Sequence, residues 1–276
     1  MLLAFMTASC ASQYVNQLSQ VATNSTAFHI PTALSVDTCK NAIRDHDVNT
    51  GHALDAGNIR LMNWNIHKGS AETWTVDYDV LADQKDLVLI QEASLRSDSI
   101  NDMDESMHWS FAPGYRTTGE VTGVLTLSSI RPLTQCSFVN LEPLLRTPKA
   151  TSITQYALTG STETLVVVNV HAVNFSLGLG AFQDQFTQIE ETLADHSGPI
   201  ILSGDLNTWR QKRMAIIDAL ALALGLESLQ FEDDQRVRVM GRPLDHIYIR
   251  GLSVVTSETH DVSTSDHNPM SVTLKM

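Results

Sequence analysis

Four short stretches set carboxylate, amide and imidazole groups beside apolar, strand-like runs. They are Asn63-Trp64-Asn65 with Gln91-Glu92, Val168-Asn169-Val170-His171, Gly204-Asp205-Leu206-Asn207, and Ser265-Asp266-His267-Asn268-Pro269. Hydrolysis of a phosphoester needs these groups. Carboxylates hold a hard divalent cation, amides orient phosphoryl oxygens, and an imidazole backed by a carboxylate activates water. Each stretch alone has a plain structural explanation. Four in this order, at strand ends, are hard to assign to packing.

Taken singly, each stretch keeps two readings. Glu92 directly follows the apolar run Leu87–Gln91, where a carboxylate is costly unless paired or metal-bound. It is either a magnesium ligand or a salt-bridged strand end. His171 closes an apolar strand, and Asn174 lies three residues on. Such a histidine either donates to a phosphoryl oxygen or leaving group, or is hydrogen-bonded for structure. Alternation along an extended chain points Asp205 and Asn207 to one side, although both types also start turns. Asp245 interrupts the run Leu244–Ile249 and suits a carboxylate that fixes a histidine tautomer, or one that enters a strand facing solvent. His267 is the choice for general base, with Asp245 orienting it and Asp266 facing metal or water. The alternative is a capped turn before Pro269. Arg210, Lys212 and Arg213 follow the Asp205 loop, and Arg236, Arg238 and Arg242 precede Asp245. A phosphate-rich substrate would account for them, and so would solvated surface charge.

The elements that must position these groups are read from periodicity. Strands are expected over 59–66, 87–90, 121–128, 152–158, 164–170, 200–202, 244–249, 252–256 and 270–274. Helices are expected near 78–84, along Phe182, Phe186, Ile189 and Leu193, and over 212–224 before Gly225. Residues 93–120 and 140–150 read as loops around a cleft. Residues 1–57 read as a mostly irregular tail or arm, and 58–276 as the catalytic domain. Strands outnumber helices and both occur throughout, so the fold class is α/β (α+β), in mixed layers around one core.

Composition sets outer limits. A chain of 276 residues with 43% hydrophobic residues and a net charge of −13 has ample core and no overall field for coating nucleic acid. No 18-residue apolar run is present, so no transmembrane helix is expected. Leu2–Met6 followed by Thr7-Ala8-Ser9-Cys10 is either a clipped lipoprotein signal, with a lipid anchor at Cys10, or a frayed terminus. The first reading faces the protein to the cell envelope or periplasm, and the second leaves it cytoplasmic. Cys39 and Cys136 are read as two separate buried thiols, with a disulfide as the alternative. Asp45-His46-Asp47 and His52 read as a solvated charge cluster. A monomer is expected.

Taken together, the stretches resemble the endonuclease/exonuclease/phosphatase superfamily, which includes exonuclease III, pancreatic deoxyribonuclease and neutral sphingomyelinases. The resemblance runs from about Ile59 to Leu274. Val168–Gly178, His196–Trp209, Arg242–Asp245 and Ser265–Pro269 look like its YafD-like bacterial branch. The resemblance implies a DNase I-like, four-layer α/β/β/α sandwich. It implies Mg²⁺ or Mn²⁺ held by Glu92 with Asn65 and Asp266 nearby. It also implies phosphate contacts from His171 and Asn207, water positioned by Asp205, and His267 backed by Asp245. Whether Asp205 or the His267–Asp245 pair is the base stays open. Asn174, Arg210 and Arg242 are candidate substrate contacts. His67 stands where repair members carry an Asp, which counts against a second metal and abasic-site repair. The expected function is a metal-dependent phosphodiesterase acting on nucleic acid, phospholipid or a small phosphorylated metabolite. A phosphomonoesterase or sphingomyelinase-like enzyme is the near alternative, and a non-catalytic binding protein on the same fold is the distant one.

Overall fold

The computed structural model describes residues 28–29, 35–44, 51–96, 106–176 and 178–276. Cys10 and Asp45-His46-Asp47 lie outside the described residues. Two sheets face each other. The first runs in the order β1 (Phe28–His29), β4 (His108–Thr117), β5 (Glu120–Ser128), β3 (Leu87–Arg96), β2 (Ile59–Asn65), β15 (Met270–Lys275), β14 (Ser253–Thr259). The second runs β10 (Glu227–Ser228), β13 (Asp245–Arg250), β9 (Ile200–Asp205), β8 (Thr164–His171), β7 (Pro148–Ala157), β6 (Thr134–Leu141). A small hairpin, β11 (Arg238–Val239) with β12 (Arg242–Pro243), stands apart.

The layering follows from side-chain alternation in strands that are apolar on both faces. In β8, Leu165 and Val167 point between the sheets, while Val166, Val168 and Val170 point outward. In β2, Ile59 and Leu61 point between the sheets, while Met62 and Trp64 point outward. The outer face of the second sheet is covered by α3 (Gly180–Leu193) and α4 (Gln211–Leu224). Phe182, Phe186, Ile189 and Leu193 recur at helical spacing and are buried there. On the outer face of the first sheet, Trp74, Tyr78 and Leu81 of α2 (Trp74–Ala82) pack against Trp64 and Ile90. Three apolar layers therefore separate helix, sheet, sheet and helix, which is the four-layer sandwich expected. Among the described residues no helix is long and apolar enough to cross a membrane.

Three expectations are corrected. The stretch 93–120, read as a loop, contains the rest of β3 and all of β4. Pro113-Gly114 looks like a turn in sequence, but here it precedes a register shift between Pro113 and Arg116, so the strand bulges rather than stops. The stretch read as mostly irregular before residue 58 holds α1 (Val36–Arg44). Ser35 caps it through its hydroxyl, which accepts from Thr38 N at 3.2 Å, and Cys39 and Ile43 bury one face. The two cysteines are not separate thiols. Cys136 lies on the helix-facing side of β6, where α1 docks, and it is bonded to Cys39.

That bridge spans a sequence separation of 97 residues. Loop-closure entropy puts its contribution at about 4–5 kcal/mol. The Cys39→Ser/Cys136→Ser protein should lose about that much unfolding free energy in urea titration, and an unchanged midpoint would contradict it.

Candidate active site

The inner faces of the two sheets change character along the strands. Leu61, Leu89, Val167, Ile201 and Ile249 fill the middle. Two residues on, Asn63, Gln91, Asn169 and Ser203 replace them. Gln91 Nε2 donates to Asn63 Oδ1 at 2.9 Å and to Asn169 Oδ1 at 2.7 Å. Asn169 Nδ2 donates to Leu125 O at 3.0 Å. This amide layer ties one sheet to the other. Two residues further, the same period delivers Asn65, His171 and Asp205 to the same edge. His171 and Asp245 are the Cα partners of Asp205 on its two sides.

The geometry is tight. Asp205 is only 3% exposed. Its Oδ1 accepts from Asn207 N at 3.0 Å, and its Oδ2 accepts from Asn65 Nδ2 at 3.3 Å and Asn207 Nδ2 at 3.2 Å. The second hydrogen of the Asn207 amide goes to Ala172 O, so this amide is spent on holding Asp205 and its loop. His171 Nε2 stands 3.6 Å from Asp205 Oδ2 and 3.7 Å from Glu92 Oε1. His267 Nε2 stands 4.0 Å from Asp205 Oδ2. The other ring nitrogen of His267, Nδ1, donates to Asp245 Oδ2 at 2.6 Å. Trp64 Nε1 donates to His267 O at 3.0 Å, and Ser265 Oγ donates to Asn65 O at 2.7 Å, so the loop before β15 is pinned to β2.

Three backbone features aim these groups. Alternation alone would send Glu92 outward with Val88 and Ile90. Instead the register with β5 shifts between Ile90 and Ala93, and Glu92 takes a left-handed φ of 54°. Ala93 and Leu95 then occupy the outer face. The bulge thus brings the Glu92 carboxylate to the His171 side. Asn207 is also left-handed, at φ 50°. Gly204 has φ 147°, and a Cβ there would lie 1.9 Å from Val170 O, so no other residue fits this approach of β9 to β8. Non-glycine residues in such conformations cost of order 1–3 kcal/mol and cluster where geometry is functional.

Electrostatics follow from burial. Burial pulls the His267 imidazolium down, but the carboxylates of Asp245 and Asp205 outweigh it and hold its pKa up at about 10. Burial pushes Asp205 up to about 6, with His267 opposing. Burial, with Lys149, His267 and Lys68 adding to it, holds His171 well below the usual histidine range, so its ring is neutral. Hard oxygen donors of the kind a divalent cation takes are the Glu92 carboxylate beside His171, the buried Asn65 amide oxygen, which accepts from His67 N at 3.1 Å, and the exposed Asp266 carboxylate. A second group, Asp205, Asp245 and His267, has ligand atoms within 4.8 Å of one another. Among the described residues Asp245 Oδ1 has no hydrogen-bond partner, and His267 Nε2 faces Asp205, so this group could offer ligand atoms with the Asp245–His267 bond intact.

The remaining residues lie further out. Asp266 is exposed, with Oδ1 3.7 Å from His67 Nδ1, and stands apart from the inner contacts. Asn174 Oδ1 accepts from Trp209 Nε1 at 2.9 Å. Arg210 is exposed and lies over the Trp209 ring at 4.2 Å. Arg242 is half-buried in the small hairpin. Two flanking arginines turn inward. Arg213, 2% exposed, donates to Val173 O at 2.6 Å and to Asn174 O. Arg236 pairs with Asp234 and donates to Asp245 O at 3.1 Å. Sequence reasoning missed Lys149, whose Nζ is 2.7 Å from His171 Nε2. It also missed the role of His246, which contacts Thr208 Oγ1 at 2.6 Å and so holds the loop after Asn207. Lys149 falls in the stretch 140–150 read as a loop, where β7 in fact begins at Pro148, and His246 carried no signal beyond its strand position.

These features define an α/β/β/α protein with a carboxylate–imidazole centre at one edge of the sheet interface. Residues 62–267 match the endonuclease/exonuclease/phosphatase family, and the chain belongs to it. A UPF0294 protein of Vibrio cholerae is 34% identical over 223 residues, covering 80% of this chain and 79% of its own. One from Vibrio vulnificus is 34% identical over 260 residues, covering 91% of both. The human nocturnin catalytic domain, solved with a sulfate anion, superposes with a TM-score of 0.60 at 17% identity, covering 81% of this chain and 95% of its own.

His246 gives a pH prediction. Burial lowers its pKa to about 4, so its neutral form is the folded one. Its contribution is present above about 6.5 and is lost as pH falls toward 4. The difference in unfolding free energy between wild type and His246→Gln should shrink over that window in urea titrations. A difference that is flat with pH would contradict the prediction.

Proposed function

We propose that this protein is a divalent-metal-dependent phosphoester hydrolase, and a phosphodiesterase in particular, acting by attack of water on phosphorus. The observation that carries this reading is the convergence of His171, Asp205 and His267 within 4.0 Å contacts, with Glu92 3.7 Å from His171. A scaffold has no need of a buried carboxylate between two imidazoles, since burial of such a charge is costly.

Glu92, Asn65 and Asp266 would hold Mg²⁺ or Mn²⁺. When bound, the cation offsets charge on the phosphoryl oxygens and makes water more acidic. The chain's own residues do the rest. Asn207 and Asn65 fix the direction of the Asp205 carboxylate. Asp245 fixes His267 with Nε2 toward Asp205. A water between Asp205 and His267 touches both. Because His267 is held protonated, the Asp205 carboxylate takes its proton as the new bond to phosphorus forms, and the imidazolium offsets the developing charge. The ester P–O bond breaks on the opposite side, and the departing oxygen takes a proton from solvent. His171 borders the phosphoryl oxygens. Substrate contacts from Asn174, Arg210 and Arg242 at the outer rim belong to the same reading. The zebrafish TDP2 structure described as a complex with single-stranded DNA product matches with a TM-score of 0.58 at 14% identity, so nucleic acid is the first natural substrate to test.

The test is hydrolysis of bis(p-nitrophenyl) phosphate, p-nitrophenyl phosphate, single-stranded DNA and sphingomyelin with Mg²⁺ or Mn²⁺. Diesters should turn over faster than the monoester. Asp205→Ala and His267→Ala should each lower kcat by about 10²–10⁴-fold with circular dichroism unchanged. Glu92→Gln should move the metal titration to higher concentration. A wild type inert on the whole panel, or near-wild-type rates in either alanine variant, would overturn the reading.

A further inference from the structure

A phosphodiester anion approaching this centre meets the carboxylates of Glu92, Asp205, Asp245 and Asp266, in a chain of net charge −13. Some positive group must offset that field. Most nearby arginines cannot. Arg213 and Arg236 donate to backbone carbonyls, and Arg236 and Arg238 share Asp234. A cavity of about 320 Å³ opens beside His171, and Lys68 and Lys149 are the only lysine or arginine residues among the described residues that line it.

Lys149 is the deeper of the two. Its side chain is 16% exposed, and Nζ lies 2.7 Å from His171 Nε2. An ammonium donates and never accepts, so His171 Nε2 is the acceptor here and the ring proton sits on Nδ1. Yet Nε2 is the nitrogen that faces Asp205 and Glu92. In this arrangement His171 offers no hydrogen to a phosphoryl oxygen, and Lys149 does. Glu142 does not quench that charge closely. Its Oε1 is 4.0 Å from Nζ and accepts instead from Asn174 N at 2.7 Å and Phe175 N at 3.2 Å. Thr147 Oγ1 donates to its other oxygen. Among the described residues His171 is the one group given a hydrogen bond by Nζ, and the other ammonium hydrogens remain for the cavity.

We propose that Lys149 grips a non-bridging oxygen of the phosphoester, shifting a hydrogen bond from His171 Nε2 to that oxygen. This rests on the hydrolase reading and names a binding group for it. His171 then acts as the resting partner that keeps the ammonium aimed at the cavity.

The test is calorimetric binding of inorganic phosphate in the presence of Mg²⁺. Lys149→Gln should weaken phosphate binding by about 10–100-fold, the range for a charged hydrogen bond, and raise KM for bis(p-nitrophenyl) phosphate more than it lowers kcat. Lys149→Arg should recover most of the affinity. Lys68→Gln, at an exposed position, should change it by less than about threefold. Lys149→Met takes the place of the Gln variant if circular dichroism shows the latter unfolded. Wild type that binds no phosphate, equal affinity in wild type and Lys149→Gln, or an equal loss in Lys68→Gln would overturn the proposal. Hydrolysis on the same proteins separates the two readings. Lys149-dependent phosphate binding without ester turnover sinks only the hydrolase, and turnover with Lys149-independent binding sinks only the grip.

Discussion

A carboxylate taken out of water governs this structure. Asp205 sits at the boundary between two sheets, almost wholly buried, where an isolated charge would be prohibitively costly. Everything around it compensates. Three N–H groups from Asn65 and Asn207 point at its oxygens, and imidazoles approach from two sides. Those donors come from both sheets, so the sheets must hold their spacing and register. The Asn63–Gln91–Asn169 layer beneath supplies that, since amides in one hydrogen-bonded set fix both distance and direction where apolar contacts fix only distance.

The fold was legible in sequence because apolar alternation is strong where a strand is buried on both faces. β2, β8, β9 and β13 read correctly for that reason, and α3 and α4 through their buried stripes. What stayed hidden has physical causes. β4 carries Pro113-Gly114, which reads as a turn, yet a bulge absorbs it within the strand. α1 is short, and a disulfide contributes to its docking, a bond that spacing alone cannot assign.

The site was partly legible. Asp205, His171 and Asn65 lie on strands whose period places them on one face, so their convergence could be anticipated from parity. Glu92 could not. Strict alternation points it the wrong way, and only the left-handed bulge returns it. The flanking arginines looked alike in sequence and differ in space. Arg213 and Arg236 are structural fasteners of the loops beside Asn174 and Asp245, whereas Arg210 stays at the surface. Lys149 gave no sign at all, because its importance comes from lying across the sheet from His171. In the proposed mode Lys149 sets one positive charge beside His171 in an acidic protein, with Arg210 at the surface beyond it, which suits grip on a single phosphate over coating of a polyanion.

The central claim is that one phosphorus atom can touch groups from both sheets at once. A crystal structure with Mn²⁺ and inorganic phosphate tests it most directly. The account predicts manganese on Glu92 and phosphate between Asp205, His267 and Lys149. Phosphate seated elsewhere, or manganese bound away from Glu92, would contradict it.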